Sequence, residues 1–510
     1  MKLLKGWNRF FNQRILVVLI LLLQIGFIVL TVVFNSRKWE LAGVGLAAIS
    51  FFVALYVVSS RDKAAYKVSL VFLILLFPIL GGLFYLLFKG TVPYRAMHKR
   101  IRAMERMNAD AARVQTSALG EAEAAHPGRV NQLRYLETFA GFPVSRGAEV
   151  SYYASGEEAF PFMLEQIRRA EKYVFLEYFI IRDGEMWGRM AEALEERAAA
   201  GVDVRVIYDD MGCFSGIRGK RFEEVGYRGI RFVPFNRFMP LLTSVQNNRD
   251  HRKILSVDGK VVFTGGVNVG DEYINRQSQY GYWKDAVLSV GGGAAWHFTE
   301  IFLKMWQLCT GATEPISDYL PEAADAEEAD GFVQPYADTP LDTENVGEHI
   351  YLQMINGARR YLYLTTPYLI IDDSTVSALT LAAKSGVDVR IITPYICDSR
   401  PVHFTTRSYY GRLIRGGVRV YEYSPGFMHA KLFVSDDEVA TVGTANLDFR
   451  SLYLHFECGA VLYGTGAVAK IKEDFLTSLS KCREITEGDC RRSLLVRMMQ
   501  AVMRLFAPLM

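Results

Sequence analysis

Cysteine, histidine and net charge are all scarce in this chain of 510 residues, and each shortage narrows the possible functions. The six cysteines, at positions 213, 309, 397, 458, 482 and 490, form no C-x-x-C pair and no cluster with histidine. A structural zinc site and a disulfide framework therefore find no support, and scattered thiols suit a reducing compartment. A net charge of +3 offers no strongly basic surface for a polyanion, so nucleic acid is not expected as a partner. Half the residues are apolar, which rules out a disordered chain. With no metal-ligand spacing in the sequence, the expected chemistry uses no metal and no cofactor. Only eight histidines serve the whole chain, so two that share a pattern stand out.

Two do share one. His251-Arg-Lys253, four residues and then Asp258 run on to Gly265-Gly266-Val-Asn268. His429-Ala-Lys431, four residues and then Asp436 run on to Gly443-Thr444-Ala-Asn446. The surroundings repeat as well. Tyr173–Ile181 and Tyr361–Ile371 are apolar runs of the kind found in strands buried on both faces. Each is followed by a helical stretch and by the same pentapeptide, Gly201-Val-Asp-Val-Arg205 and Gly386-Val-Asp-Val-Arg390, which opens another apolar strand. Strand–helix–strand order around buried strands predicts two similar α/β units, a duplicated fold.

Residues two apart on a strand point the same way, so His251 and Lys253 share a face, as do His429 and Lys431. Asp258-Gly259 reads as a hairpin turn that returns the chain to Gly265 and Gly266, where small residues admit a close backbone approach to a phosphate. Gly443 and Thr444 stand in the same place, and Asn268 and Asn446 are positioned to donate to the same oxygens. A phosphodiester needs a nucleophile, a proton donor for the leaving alcohol, and cations around its non-bridging oxygens. The duplicated word supplies all three. One such word would be a weak signal, whereas two at matching places are a strong one.

The apolar excess lies at the front. Three spans are expected, at about 15–34, 41–58 and 68–88, because about 20 apolar residues cross a hydrocarbon layer of ~30 Å. A cleaved signal peptide fits the first poorly: the stretch is long, and Phe34-Asn35-Ser36 is an unfavourable cleavage site. The remaining segments are a basic connector helix over 93–130, a first α/β domain over 131–312, an acidic linker over 313–333, a second domain over 334–482, and an amphipathic tail over 483–510. In that tail Ser493, Arg497, Gln500 and Arg504 share one stripe, which fits a helix at the membrane interface or one packed on the protein itself. Basic clusters flank the first and third spans, and the larger, after the third, tilts the bulk of the chain to the cytoplasmic face of a multi-pass protein.

The paired words resemble the H-x-K-x4-D motifs of the phospholipase D superfamily. Four longer phrases resemble bacterial cardiolipin synthases: His251–Gly259, Thr264–Tyr273, Tyr282-Trp-Lys-Asp285 and Gly443–Ser451. The third apolar segment and the ending Arg504–Met510 do too, so the resemblance covers essentially the whole chain. It implies two phospholipase D-like α-β-α sandwich units in pseudo-twofold arrangement behind transmembrane helices. It implies condensation of two phosphatidylglycerols to cardiolipin and glycerol, with membrane lipids as partners and a homo-oligomer as an option. His251, Lys253, Asp258, His429, Lys431 and Asp436 would be catalytic. His251 would attack phosphorus to give a phosphatidyl-histidine, and His429 would serve as acid and base. Asp285 and Glu457 would hold the second nitrogen of the imidazoles. A phospholipase D hydrolase, or a transferase using phosphatidylethanolamine, would share these residues. The departures are an extra leading apolar segment, and His455 near a position where the family more often has Asn.

Overall fold

The computed structural model describes residues 37–60, 63–77, 117–214, 220–237, 244–277, 279–321, 330–342 and 344–509, with positions 26, 29, 81, 82, 85 and 216 besides. The first expected span, but for positions 26 and 29, lies outside the described residues. So do the basic connector up to residue 116 and the middle of the acidic linker, 322–329. The chain forms two units. One comprises Met1–Ala96, Phe238–Asn248 and Ala501–Met510; the other comprises Met97–Arg237 and Arg249–Gln500.

In the first unit, helix α1 (Arg37–Ser59) covers the second expected span and helix α2 (Ala64–Leu76) the front of the third. Beyond α2, the backbone N–H of Gly82 donates to Ser50 Oγ at 3.0 Å. A Cβ on Gly82 would sit 2.7 Å from the Ser50 backbone, so glycine is what allows this approach. Among the described residues no helix is long and apolar enough to cross a membrane. Val44, Phe51, Phe52 and Leu55 on α1, and Val68, Phe72 and Leu75 on α2, nevertheless stand exposed. The chain's last helix ends in this unit, where the Phe506 ring meets Phe72 at 5.9 Å and Ser69 Oγ donates to Leu505 O.

The second unit holds the repeat. Its first half runs β1 (Ser145–Arg146), β2 (Val150–Tyr153), α3 (Gly156–Arg169), β3 (Tyr173–Tyr178), α4 (Glu185–Ala199), β4 (Asp203–Asp209) and β5 (Ile230–Phe235). It continues with β6 (Arg249–Asp250), β7 (Lys253–Val257), β8 (Val261–Gly265), β9 (Tyr282–Lys284), β10 (Val287–Gly291) and α5 (Gly292–Thr310). Its second half runs β11 (Phe332–Asp338), α6 (Val346–Gly357), β12 (Tyr361–Thr365), β13 (Leu369–Ile370), α7 (Asp373–Lys384), β14 (Asp388–Pro394), α8 (Arg400–Arg415) and β15 (Arg419–Tyr423). There follow β16 (Gly426–Met428), β17 (Leu432–Ser435), β18 (Val439–Gly443), β19 (Leu447–Asp448), β20 (His455–Tyr463), α9 (Gly466–Leu479), β21 (Cys482–Ile485) and α10 (Leu494–Phe506).

The two large sheets repeat one order. The first reads β2-β10-β8-β7-β3-β4-β5, and the second contains β11-β20-β18-β17-β12-β14-β15, with β1 and β21 added at its edges. In both, three neighbouring strands are parallel (β3, β4, β5; β12, β14, β15) and the rest antiparallel. The apolar runs are β3 and β12, buried at every residue, and the shared pentapeptide opens β4 and β14. Expected and observed folds agree on two repeated α/β units.

One core joins the repeats. Ile254, Val262 and Leu288 from the first sheet pack in the same buried cluster as Leu432, Val442 and Ala460 from the second. Each such side chain contributes roughly 1.5–3 kcal/mol on burial, so the two sheets are locked face to face. Two short parallel ribbons cross between the repeats: β6 pairs with the start of β20, and β9 with β16. They fix what stands at the seam.

Candidate active site

His251 and His429 stand at the ends of these ribbons. The His251 amide donates to Phe456 O at 2.9 Å, and the His429 amide to Lys284 O at 2.7 Å. Each histidine is thereby tied by its backbone to the opposite repeat, two residues (His251) or three (His429) before a strand that its own repeat buries. The side chains cross the same seam. His251 Nδ1 lies 3.0 Å from both carboxylate oxygens of Glu457. His429 Nδ1 lies 2.6 Å from Asp285 Oδ2. A carboxylate accepts only, so each Nδ1 carries the proton and each Nε2 keeps its lone pair.

The carboxylates are themselves held. Thr444 Oγ1 donates to Glu457 Oε2, and the Trp283 indole N–H points to Asp285 Oδ2 at 3.4 Å. Thr444 and Gly266 occupy equivalent places in the repeat, and the difference between them matches the difference between Glu457 and Asp285. A Cβ on Gly266 would stand 1.9 Å from Asp285 Oδ1, so the shorter carboxylate rests directly against this glycine.

Lys253 and Lys431 complete the set. The Lys431 ammonium lies 2.9 and 3.0 Å from the two ring nitrogens of His429. Lys253 is held by His251 O and stands 5.7 Å from the Phe179 ring centre. Lys253 interacts electrostatically with Lys431, Asp285 and Glu457, and Lys431 with Asp285 and Glu457, so the two words form one charged cluster.

Burial sets the ionisation. It lowers His251 to about 3 and His429 to about 4 despite the carboxylate partners, with the lysines adding to the effect. Burial likewise lowers Lys253 to about 7 and Lys431 to about 8. For Asp285 burial works against ionisation, but His429 and Lys431 outweigh it and bring the carboxyl to about 2. Glu457 is lowered too, by His251 and His455 against burial. At neutral pH these residues present neutral imidazoles, ionised carboxylates and ammonium groups that readily lose protons. A phosphodiester anion supplies the negative charge that would keep those protons in place.

The remaining expected residues are used differently. Asp258 and Asp436 lie at the other ends of β7 and β17, seven residues and so roughly 23 Å of extended chain from the histidines. Asp258 accepts from the amides of Glu171, Lys172 and Tyr173 at 2.8–2.9 Å, and Asp436 from Arg359, Arg360 and Tyr361 at 2.8–3.1 Å. Both occupy turns with φ of 54° and 62°, so they pin the starts of β3 and β12 rather than face the imidazoles. Gly265, Gly266, Gly443 and Thr444 do not form the expected phosphate cradle. The Gly266 and Thr444 amides are bonded to Ala286 O and Cys458 O, and the small side chains make room for neighbouring strands. Asn268 donates to Tyr273 at 2.9 Å and accepts from the Ile180 amide, which leaves one N–H free for a ligand. Asn446 donates to Asp448 at 3.2 Å, and its Oδ1 has no partner among the described residues.

Sequence reasoning gave no role to the aromatic wall around His429, where Tyr273, Trp283 and Phe427 stand with ring centres 5.9, 5.1 and 5.7 Å away. Trp283 carried a signal, two residues before Asp285 in a quoted phrase. Phe427 carried none, because β16 reaches the site only through its pairing with β9.

The family model described as "Cardiolipin synthase, PLD-like domain" matches residues 163–306 and 351–479, one match to each repeat. A cardiolipin synthase of Geobacillus kaustophilus is 34% identical over 92% of this chain and 95% of its own length. An uncharacterized protein of Streptococcus mutans is 39% identical over 89% of this chain and 99% of its own. Among solved structures, the phosphatidylserine synthase of Haemophilus influenzae superposes with a TM-score of 0.58 at 14% identity, covering 72% of this chain and 97% of that one, which speaks to fold alone. With both repeats matched and relatives aligned along nearly their full length, the chain belongs to the phospholipase D-like cardiolipin synthase family.

Proposed function

We propose that this phosphatidyltransferase joins two phosphatidylglycerol molecules, releasing glycerol and forming cardiolipin. The observation that carries the reading is the reciprocal one: each repeat's imidazole is held by the other repeat's carboxylate, with both lysines between. His429 takes up a proton at Nε2 as the anionic diester binds; His251 Nε2 then attacks phosphorus while the bond to the leaving glycerol oxygen breaks, and His429 Nε2 gives that oxygen the proton. The product is a phosphatidyl-histidine. A hydroxyl of the second phosphatidylglycerol then gives its proton to His429, its oxygen bonds phosphorus, and the P–N bond breaks. Proton and leaving group balance across the two steps.

The 2.6 Å contact of His429 with Asp285 supports its role as the acid, because a short charge-assisted bond favours the imidazolium. The bifurcated contact of Glu457 supports His251 as the nucleophile, since it holds Nδ1 and leaves Nε2 available. Lys253, Lys431 and the free N–H of Asn268 would hold the non-bridging oxygens. The exposed apolar side chains of α1 and α2 support a lipid-embedded first unit of a multi-pass membrane protein, and the larger basic cluster after the third apolar segment supports a cytoplasmic placement of the catalytic unit.

Purified protein in phosphatidylglycerol micelles should release one glycerol per cardiolipin formed, with no added metal. Abolition of turnover by EDTA would sink the mechanism. Phosphatidic acid as the main product would instead make the protein a hydrolase. Ethanolamine released from mixed micelles would identify phosphatidylethanolamine as a donor.

A further inference from the structure

Beyond Gly266/Thr444 and Asp285/Glu457, the two halves of the site differ at a further position. Trp283 and His455 stand two residues before Asp285 and Glu457, and where the indole donates to its carboxylate, the imidazole does not. His455 Nδ1 is 3.7 Å from Glu457 Oε1, and the His455 and His251 rings are 5.6 Å apart. Among the described residues neither nitrogen of His455 has a hydrogen-bond partner, although the side chain is only 11% exposed. One donor atom from each of His251, His455 and Glu457 falls within 4.8 Å of the other two.

A tetrahedral d¹⁰ cation with bonds of about 2.0–2.2 Å sets its ligand atoms roughly 3.3–3.5 Å apart. The edges of 3.0 and 3.7 Å on either side of Glu457 bracket that spacing. Two imidazoles and a carboxylate with a fourth position open are a donor set that zinc takes readily. The other half of the site, with Trp283 in place of the third donor, offers no such set.

We propose that His251, His455 and Glu457 form an inhibitory site for Zn²⁺. This rests on the reading of His251 as the nucleophile. The metal ligates His251 Nδ1, the nitrogen beside Glu457, and the proton that Nδ1 carried passes to Nε2. No proton is lost and no bond to phosphorus forms, but the lone pair that would attack is now an N–H. Glu457 turns from hydrogen-bond acceptor to ligand, and His455 gains the partner it lacks. The enzyme thus works without metal and is stopped by a borderline divalent cation.

The test uses the full-length protein, stripped with EDTA and dialysed, then titrated with ZnCl₂ in competition with a chromophoric chelator. One Zn²⁺ should bind per chain, glycerol release should fall in parallel, and EDTA should restore it, whereas Mg²⁺ should do nothing. His455→Asn should keep its metal-free turnover and need at least tenfold more zinc for both binding and inhibition. Co²⁺ on the unmodified protein should give the intense visible absorption of a tetrahedral site, a readout that needs no variant. Absence of saturable zinc binding, or equal binding by His455→Asn, would overturn the site and leave the proposed reaction standing. Zinc bound through His455 with turnover untouched would overturn the inhibition and, with it, His251 as nucleophile.

Discussion

Glu457 holds His251 from the other half of the repeat: two carboxylate oxygens meet one Nδ1 at 3.0 Å, between residues 206 positions apart. The reciprocal contact, His429 to Asp285, spans 144 positions. Each motif histidine therefore takes its carboxylate from the opposite repeat. Each half supplies the proton carrier of one pair and the acceptor of the other, so the reaction needs both halves docked.

This crossing predicts what the carboxylates do. Glu457→Gln should keep the fold and the lipid affinity but lower kcat by about 10²–10⁴-fold, because the amide can present its N–H to His251 and favour the wrong tautomer. Asp285→Asn should act on His429, and the double variant should be far less damaged than the product of the two single losses. Steady-state glycerol release gives kcat and KM. A rise in KM at constant kcat in Glu457→Gln would assign Glu457 to binding instead.

The charge state of the lysine–histidine cluster leads to a second expectation. Burial holds Lys253 at about 7 and Lys431 at about 8, and both histidines are neutral at pH 7. A bound diester anion favours every protonated form, so binding must take up protons, and more of them at pH 8 than at pH 6. Calorimetry of a non-cleavable phosphonate analogue, in buffers of differing ionisation enthalpy, should show net uptake approaching one proton near pH 8. Proton release, or no linkage at any pH, would mean the lysines do not face the phosphate.

Asp258 offers a sharp contrast between motif and mechanism. Its carboxylate holds three backbone amides at the start of β3, beside a turn with two positive φ angles. Asp258→Ala should lower unfolding free energy by about 1–3 kcal/mol by orphaning buried donors, while kcat per folded molecule changes little. Urea unfolding and kcat measured well below the transition would separate the two. A thousandfold loss of kcat with unchanged stability would return Asp258 to the chemistry.

These cases show where the sequence was readable. His251, Lys253, His429 and Lys431 were legible because a rare residue type recurred in a fixed frame, and the buried runs Tyr173–Tyr178 and Tyr361–Thr365 announced the central strands. The turn at Asp258-Gly259 was legible from its dipeptide. The partner of each carboxylate was not, since His251–Glu457 depends on two sheets meeting face to face, which no local pattern encodes. The motif's trailing Asp misled for a related reason: a spacing of four residues is one strand length, and a strand has a far end. The glycines misled because sequence shows the absence of a side chain but not which neighbour fills the space.

Gly266 tests that last point. Sequence alone suggested room for a phosphate, whereas the coordinates give the space to Asp285, whose Oδ1 would meet a new Cβ at 1.9 Å. In Gly266→Ala something must move, and the backbone there is fixed by the Gly266 amide bond to Ala286 O at 3.0 Å. The carboxylate is the softer element, so it should swing from His429 and lengthen the 2.6 Å contact. A displacement of this size at a proton carrier costs on the order of 10²-fold in rate. The loss should fall on kcat, with diester binding nearly intact, because Lys253 and Lys431 are untouched. Thr444→Val in the other repeat is the matched control: it removes the hydroxyl that holds Glu457 and accepts from the Cys458 amide but adds no bulk, so its loss should be smaller, roughly tenfold. If phosphate contact were the role of Gly266, the alanine would instead raise KM and weaken the phosphonate analogue, with kcat spared.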